Sequence, residues 1–316
     1  MSQHNRSLAL GIGFGAAAGA AWGFVFLAPE LARHFSPLQL SAGRYLSYGL
    51  VALILIAPRW RAVAPRLGRA EWWALLRLSL LGNIFYYVLL ASAVQLGGMA
   101  MTSLVIGFLP VAVTLIGSRG HGAVPLRQLA LTLGLGVGGI VCVAWQALGM
   151  PSEASVADRL TGFLCALGAL IAWTAYAVSN SRWLARLDHV SSHDWSLLTG
   201  LVTGGLALLL AIPAFSGSST SDHTTAQWGA FIGVVAGMAV VASVLGNAFW
   251  NHASRLLPMT MIGQMILFET LFALLYGFLW EARWPTALEA LAMVLVSASV
   301  LAGISAHQPR QPLPEH

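Results

Sequence analysis

Two stretches of the chain carry the pattern that decides its fold: MTSLVIGFLPVAVTLIG at residues 101–117 and MIGQMILFETLFALLYG at residues 261–277. Each run is almost wholly apolar and nearly long enough to cross about 30 Å of hydrocarbon as a helix. The two stretches lie 160 residues apart, and when 93–117 is aligned with 253–277 without a gap, eight of 25 positions are identical. The pair indicates a membrane protein built from a doubled unit.

The composition extends this interpretation to the whole chain. Hydrophobic residues make up 58% and charged residues only 9% of the sequence, whereas ordinary soluble domains carry roughly 25% charged residues. Ten apolar segments are predicted to span the membrane: Leu8–Ala28, Leu38–Ala57, Trp72–Ser92, Gly97–Gly117, Leu126–Trp145, Leu160–Asn180, Trp195–Phe215, Trp228–Trp250, Pro258–Trp280 and Thr286–Ala306. Because a lipid-exposed backbone must satisfy its own hydrogen bonds, segments of this length are helices, and the predicted fold class is all-α.

The doubling has a geometrical consequence. Five spans per half is an odd number, so the second half enters the membrane upside down relative to the first. We therefore predict two inverted five-helix repeats, at residues 1–150 and 151–306, around a central cavity, followed by a disordered cytoplasmic tail at 307–316. Inverted repeats of this type are a recurring design of secondary transporters, which bind substrate near the midplane and work by alternating access. The alternative is a larger bundle with no transport function.

The arginines predict the orientation, since positively charged loops stay in the cytoplasm. With the N-terminus inside, eleven arginines are cytoplasmic and three are external, at positions 33, 159 and 283. Both termini are then cytoplasmic, and the net charge of +5 is a signal of topology that gives no support to nucleic-acid binding. The partners are the lipid bilayer and a small-molecule substrate. The chain has no lysine and hence no phosphate-binding loop for ATP, so energy must come from gradients.

Several of these residues resemble a known family. The ten spans in two repeats, with LPVAVTLIG at 109–117 and FETLFALLYG at 268–277, resemble the drug/metabolite transporter (DMT) superfamily and its EamA repeats. Within it, AWTAYAVSNSRWLAR at 172–186 is similar to YddG-type aromatic amino-acid exporters. The resemblance implies export of hydrophobic or aromatic amino acids across a bacterial inner membrane. One departure is that Glu269 precedes a threonine where members often carry proline, while the first repeat keeps Pro110.

Glu269 is the one carboxylate near the centre of a predicted span. Burying an ionised carboxylate in hydrocarbon costs several kcal/mol, so such a group faces a cavity, pairs with a cation or is protonated. We interpret Glu269 as a site for a substrate amine or a proton, the alternative being a hydrogen bond to a neighbouring helix. Its helical stripe holds Met265, Phe272 and Tyr276. Arg44 is the natural counter-charge for Glu269 or for a substrate carboxylate, unless its long side chain reaches the outer interface.

Aromatic and amide side chains complete the predicted substrate site. They are Asn83, Tyr86 and Tyr87 in span 3, Trp173 and Tyr176 in span 6, Asn247 and Trp250 in span 8, and Gln264 in span 9. Rings around a cavity favour flat, apolar cargo, and amides bind the ends of a zwitterion or bond to neighbouring helices. For Trp250, a place in the interfacial aromatic belt is the competing interpretation.

Two glycine stripes recur at every fourth residue: Gly15, Gly19 and Gly23 in span 1, and Gly229, Gly233 and Gly237 in span 8. Small residues at this spacing let helices approach closely and slide. Close packing is the first interpretation of both stripes. Gly19, Gly233 and Pro110 are the candidate positions for gating or hinge motion.

Two other functions compete with amino-acid export: export of drugs or other amphipathic metabolites, and intramembrane catalysis. An intramembrane enzyme needs a convergent set of catalytic groups, and one central carboxylate is too few, so no enzyme activity is predicted. Cys142 and Cys165 lie inside spans as free thiols, and we predict no catalytic residue, metal site or cofactor. The sequence leaves open the cargo, the direction, the oligomeric state, and whether protons or the cargo's own gradient drive transport.

Overall fold

The computed structural model describes residues 3–109, 111–112, 126–149, 155–184, 186–187, 190–216, 223–256 and 259–306. Every regular element in this part of the chain is helical, as predicted. The spans are span 1 Gln3–Leu31, span 2 Pro37–Ile56, span 3 Arg69–Gly97, span 4 opening with Met99–Ile106, span 5 Leu126–Gly149, span 6 Val156–Leu184, span 7 Ser192–Phe215, span 8 at 225–256, span 9 Met259–Trp280 and span 10 Ala287–Ala306. Short helical turns at Ala57–Arg59, Trp60–Val63 and Ala64–Arg66 join spans 2 and 3.

Within the described residues, six helices are long and apolar enough to cross a membrane, and three shorter apolar helices lie in spans 5, 9 and 10. The prediction of an all-helical, multi-pass membrane protein is confirmed. Spans 3 and 6 are 29 residues long, which corresponds to about 44 Å of helix. They exceed the predicted 21-residue segments because hydropathy marks only the part facing hydrocarbon, whereas a helix continues until the backbone is capped.

Local capping explains where several spans begin. The Ser36 hydroxyl accepts from the Gln39 backbone N–H while the Gln39 side chain accepts from the Ser36 N–H, a capping box that starts span 2. Thr224 and Gln227 form the same arrangement at the start of span 8. Span 3 ends where Gly98 adopts a φ of 85°, a conformation that glycine adopts without steric cost. This turn sends the chain directly into span 4.

Spans 3 and 8 each contain a π-helical segment at corresponding positions. The segments are Leu80–Phe85 and Ala239–Gly246. Their first residues lie 159 positions apart and their last residues 161, close to the 160-residue offset that relates the two quoted stretches. An aromatic ring from the opposite half covers each one, since a Cβ added at Gly82 would lie 2.3 Å from the Tyr176 ring and one at Gly246 would lie 2.5 Å from Trp22 Nε1. π-Helical turns often occur at functional sites.

The spans pair across the two halves of the chain. Span 1 packs along span 9, span 2 along span 7, span 3 along span 6, and span 5 along span 10. The span 2 to span 7 contact is backbone against backbone, because a Cβ added at Gly49 would lie 2.5 Å from the Cα atom of Gly204. The two halves are therefore interleaved, and the main hydrophobic cluster of the described residues contains side chains from both.

Side-chain contacts define the two ends of the bundle. At one end, Arg59 Nη1 lies 2.9 Å from Asp194 Oδ1, joining the connection between spans 2 and 3 to the start of span 7. At the other end, Arg33 donates to the Gln95 carbonyl and the ring centroids of Phe35 and His223 lie 4.2 Å apart. The connections thus alternate between two ends, as expected of helices that cross a membrane in turn.

The two predicted glycine stripes pack differently. A Cβ at Gly19 would lie 2.5 Å from Phe268 Cβ and 2.8 Å from the Glu269 backbone nitrogen, and Cβ atoms at Gly15 and Gly23 would lie 2.5 and 3.0 Å from atoms of span 9. Among the described residues, no atom beyond the span's own backbone lies within 4 Å of a Cβ at Gly229 or Gly233, and one at Gly237 would meet Phe24 at 3.8 Å. The close-packing interpretation is confirmed for span 1, whereas Gly229 and Gly233 of span 8 are exposed and do not pack closely on a described helix. The gating roles of Gly19 and Gly233 stay predictions.

This difference predicts opposite effects from one substitution. Gly19→Ala should lower the free energy of unfolding by roughly 1–3 kcal/mol because the methyl group overpacks a backbone contact. Gly233→Ala should be neutral or stabilise by up to about 1 kcal/mol, since alanine is the better helix former. Thermal unfolding of the two variants in the same detergent measures the effect, and equal melting temperatures would contradict the close span 1 to span 9 contact.

Candidate functional site

Arg44 of span 2 lies inside the bundle with its charge unpaired. Its Nε and Nη1 atoms are buried and have no hydrogen-bond partner in the described part of the chain. The Cζ atom lies 4.3 Å from the ring centroid of Tyr87 and 5.2 Å from that of Tyr45. The guanidinium of Arg44 is therefore packed between helices of the bundle, and its role in a substrate site stays a prediction.

The two tyrosines hold the guanidinium in place. The rings of Tyr45 and Tyr87 meet edge to face at 6.0 Å, and the Tyr87 hydroxyl donates to Met238 Sδ of span 8 at 3.2 Å. A cation over aromatic faces gains roughly 0.5–2 kcal/mol, which is less than the cost of desolvating a guanidinium. The rings compensate Arg44 in part and leave its Nε and Nη1 donors without a partner among the described residues.

Glu269 of span 9 is half-buried and lies in the same interior region as Arg44. Its carboxylate interacts electrostatically with Arg44 and with Tyr86. Among the described residues it makes no hydrogen bond, and the separation from Arg44 exceeds the 4.0 Å of an ion pair. The Glu269 carboxylate and the Arg44 guanidinium therefore lie near each other without forming an ion pair.

Aromatic rings from spans 3 and 6 line the same region. Tyr86 and Trp173 have ring centroids 6.5 Å apart, and those of Trp173 and Tyr176 lie 5.7 Å apart in an edge-to-face arrangement. Tyr176 in turn packs on Gly82 of the π-helical segment. The structure thus brings together the predicted residues Arg44, Tyr86, Tyr87, Trp173, Tyr176 and Glu269 from four spans.

The stripe on Glu269's own helix serves a different purpose from the one predicted. Met265 is buried against Gly15, and the Tyr276 hydroxyl donates to the Ala20 carbonyl at 3.1 Å. These side chains attach span 9 to span 1. The aromatic surface near Glu269 comes from spans 3 and 6 instead, a consequence of packing that the stripe could not indicate.

The other predicted site residues lie apart from this group or outside the described residues. The Asn83 amide donates to Thr203 Oγ1 at 2.8 Å, joining spans 3 and 7. Trp250 packs on Trp22 at 5.2 Å, and Trp22 Nε1 donates to the Ala242 carbonyl in the second π-helical segment. The side chains of Asn247 and Gln264, and Pro110 as a whole, lie outside the described residues.

Two contributors escaped the sequence analysis, Tyr45 and Met238. Tyr45 follows Arg44 directly, and neighbours on a helix point about 100° apart, so nothing in the sequence indicated that its ring would meet the guanidinium. Met238 Sδ accepts a hydrogen bond from the Tyr87 hydroxyl, although the two residues lie 151 positions apart in the sequence. Both contacts depend on the packing of spans 2, 3 and 8.

The described residues hold no group of three potential metal ligands, and Cys142 and Cys165 are free thiols there. Each of the groups that converge on Arg44 is a side chain suited to binding a small dipolar molecule. Together they offer one cation, one carboxylate and several aromatic faces.

Comparisons with known proteins identify the family. The model of the EamA-like transporter family matches the chain twice, at residues 9–145 and 160–303. The inner membrane protein YtfF of Escherichia coli (strain K12) is 33% identical over 318 aligned positions, which cover 96% of this chain and 98% of that protein. A solved crystal structure superposes with a TM-score of 0.57 at 19% identity, covering 93% of this chain and 96% of the other, and supports the fold alone. The chain belongs to the EamA-like transporter family of the DMT superfamily, and it is a transporter and not an enzyme.

Proposed function

We propose that the protein exports hydrophobic, chiefly aromatic, amino acids across the inner membrane by alternating access. The observation that carries this proposal is the buried Arg44 guanidinium, whose Nε and Nη1 atoms have no partner among the described residues. Leaving charged donors buried and unpaired costs several kcal/mol. A substrate carboxylate would use these donors, and the cost of the empty site then favours binding.

The charges near Arg44 specify the other end of the substrate. Glu269 interacts electrostatically with Arg44 without pairing with it, so a zwitterion with its carboxylate on Arg44 can place its ammonium group on Glu269. Trp173 and Tyr86 then meet the side chain. Aromatic pairs contribute roughly 0.5–1.5 kcal/mol beyond their buried area, which supports aromatic over aliphatic cargo and agrees with the YddG-like stretch at 172–186.

The proposed mechanism rests on two inverted repeats, residues 1–150 and 151–306. The matching π-helical segments and the pairing of spans across the two halves support this division. Arg44, Tyr86 and Tyr87 come from the first repeat, and Trp173, Tyr176 and Glu269 from the second. A substrate bound between the two repeats would be accessible first from one side of the membrane and then from the other, as one repeat rocks against the other.

We propose that both termini are cytoplasmic, on the basis of the arginine distribution and the inner-membrane relative. The expected result is that a membrane-impermeant thiol reagent labels neither terminus in intact cells and both after permeabilisation. Single cysteines at positions 2 and 315 serve as targets once Cys142 and Cys165 are replaced by alanine. Labelling of one terminus in intact cells would contradict the ten-span arrangement.

Transport itself is tested with purified protein in liposomes loaded with unlabelled tryptophan or phenylalanine. We expect saturable counterflow of the labelled amino acid, weaker counterflow of leucine and none of glutamate. Repeating the assay with and without a proton gradient separates proton coupling from flow down the cargo's own gradient. Counterflow of amphipathic drugs with no amino-acid counterflow would favour the alternative cargo, and unitary currents would indicate a channel.

A further inference from the structure

A cavity of about 240 Å³ lies away from the Arg44 site, between the first half of span 3 and the end of span 6. Three arginines line it: Arg77 from span 3, Arg182 from the end of span 6, and Arg186 from the turn that follows span 6. Ser179 and Trp183 complete the span 6 side, and apolar side chains complete the span 3 side. The cavity thus brings charge from both halves of the chain to one place.

Among the residues that the structure describes, no carboxylate lines this cavity. The ion pairs among the described residues use Arg33, Arg59 and Arg283, and Arg77, Arg182 and Arg186 make no side-chain hydrogen bond there. All three arginines are exposed to solvent, and like charges that converge on one opening attract an anion to it. Ordinary positive-inside loops spread their charges over the surface, whereas these three converge from two spans.

The donors suit a phosphate group. Each guanidinium offers up to five N–H donors in a planar fork that matches a phosphate bidentately, and the Ser179 hydroxyl is a further donor at the wall. A carboxylate has two oxygens and would leave most of these donors unused. A phosphate offers oxygens in several directions, so one group can accept from arginines on both spans.

The position of the cavity indicates where the phosphate comes from. It lies toward the end of the bundle that carries the connections 2–3 and 6–7, where Arg59 pairs with Asp194. Trp183 stacks on the buried Trp195 at 6.2 Å at this level. The exposed Trp60 and Trp73 lie near the same end, and exposed tryptophans of this kind mark the headgroup region of a bilayer. Basic pockets between membrane helices on the cytoplasmic side recognise anionic lipid headgroups.

We propose that this cavity binds a phosphate group, supplied by the headgroup of an anionic phospholipid. The bound headgroup bridges spans 3 and 6, which come from different halves, and braces their contact below the π-helical segment. The proposal is independent of the transported substrate, since lipid binding is measured without transport.

The test compares two triple variants of the full chain that lose the same charge on the same face. R77Q/R182Q/R186Q removes the cavity arginines, and R61Q/R66Q/R69Q removes arginines of the 2–3 connection. Retention of phosphatidylglycerol is measured by native mass spectrometry and by thermal stabilisation in neutral detergent, with phosphatidylcholine, inorganic phosphate and glycerol 3-phosphate as parallel probes. Each arginine near an anionic headgroup contributes about fivefold in affinity, so the cavity variant should lose on the order of 100-fold.

The outcomes separate the sources of the anion. Loss of phosphatidylglycerol in the cavity variant alone supports the proposal, and stabilisation by glycerol 3-phosphate without lipid retention overturns the lipid as the source. Equal losses in both triple variants overturn the site, because they indicate general attraction to an anionic surface. Asp188 follows Arg186 by two residues and lies outside the described residues. If the wild type binds no phosphate and the D188N variant does, Asp188 pairs with the arginines in the wild type and the proposal fails.

Discussion

The R44M variant is expected to bind tryptophan or phenylalanine roughly 10- to 100-fold more weakly while the empty protein becomes more stable. Charge-assisted hydrogen bonds contribute roughly 1.5–3 kcal/mol, which corresponds to this loss of affinity. Replacing an unpaired buried charge with an apolar side chain of similar length removes a desolvation cost of roughly 1–3 kcal/mol from the empty state. A merely structural arginine would give the opposite sign for stability.

Thermal unfolding of R44M with and without ligand measures both effects in one experiment. R44K keeps the charge and loses the planar fork, so its affinity should fall between those of the wild type and R44M. Arg61→Met, on the exposed 2–3 connection, is the matched control and should change neither quantity. An empty R44M protein that melts below the wild type, with ligand stabilisation intact, would remove Arg44 from the substrate site.

The E269Q variant is expected to lose transport while remaining folded and abundant. Glutamine keeps the size and loses the charge that would pair with the substrate ammonium group. The affinity for phenylalanine should fall roughly 10- to 100-fold, as for other charge-assisted hydrogen bonds. Counterflow of phenylalanine should fall with this affinity, and if Glu269 also carries the coupling proton, the residual counterflow should no longer respond to a proton gradient.

Substrate analogues assign each charge to its partner. 3-Phenylpropionate lacks the amine, so its affinity should be the same in the wild type and in E269Q, and phenethylamine lacks the carboxylate and should be unaffected by R44M. Glu281→Gln, which neutralises an exposed carboxylate beside Arg283, is the matched control. Wild-type transport by E269Q would exclude Glu269 from the mechanism. Equal losses of phenylalanine and 3-phenylpropionate would contradict its role as the ammonium site.

Glu269 and Arg44 were predictable from sequence for one reason. Ionised groups are expensive in hydrocarbon, so two charges deep inside apolar runs stand out without any structure. Their surroundings were not predictable to the same degree. The rings that hold Arg44 come from Tyr45 and Tyr87, and the Asn83 amide is occupied by Thr203 of span 7. Each of these contacts joins positions whose proximity depends on how whole helices are rotated about their axes.

The glycine stripes also show that a pattern in one span does not predict which helix packs against it. Span 1 and span 8 carry identical spacings, yet Gly19 lies against the backbone of span 9 whereas Gly233 has open space beside it. Glycines at every fourth residue indicate that a helix has a smooth face, and they do not indicate which helix lies opposite that face. A stripe therefore predicts that close packing is sterically allowed, and only the arrangement of the spans decides whether it occurs.

The sequence by itself determined the helical class, the multi-pass arrangement and the doubling of the unit. These properties follow from local requirements, since each apolar run must satisfy its own backbone hydrogen bonds across a fixed thickness of hydrocarbon. The tertiary structure decided which faces meet: Gly49 against Gly204, Tyr176 over Gly82, and Arg44 beside two tyrosines, with no partner for its Nε and Nη1 among the described residues. Helices in lipid associate through close packing and a few polar contacts, and these are properties of pairs of helices that no single segment contains.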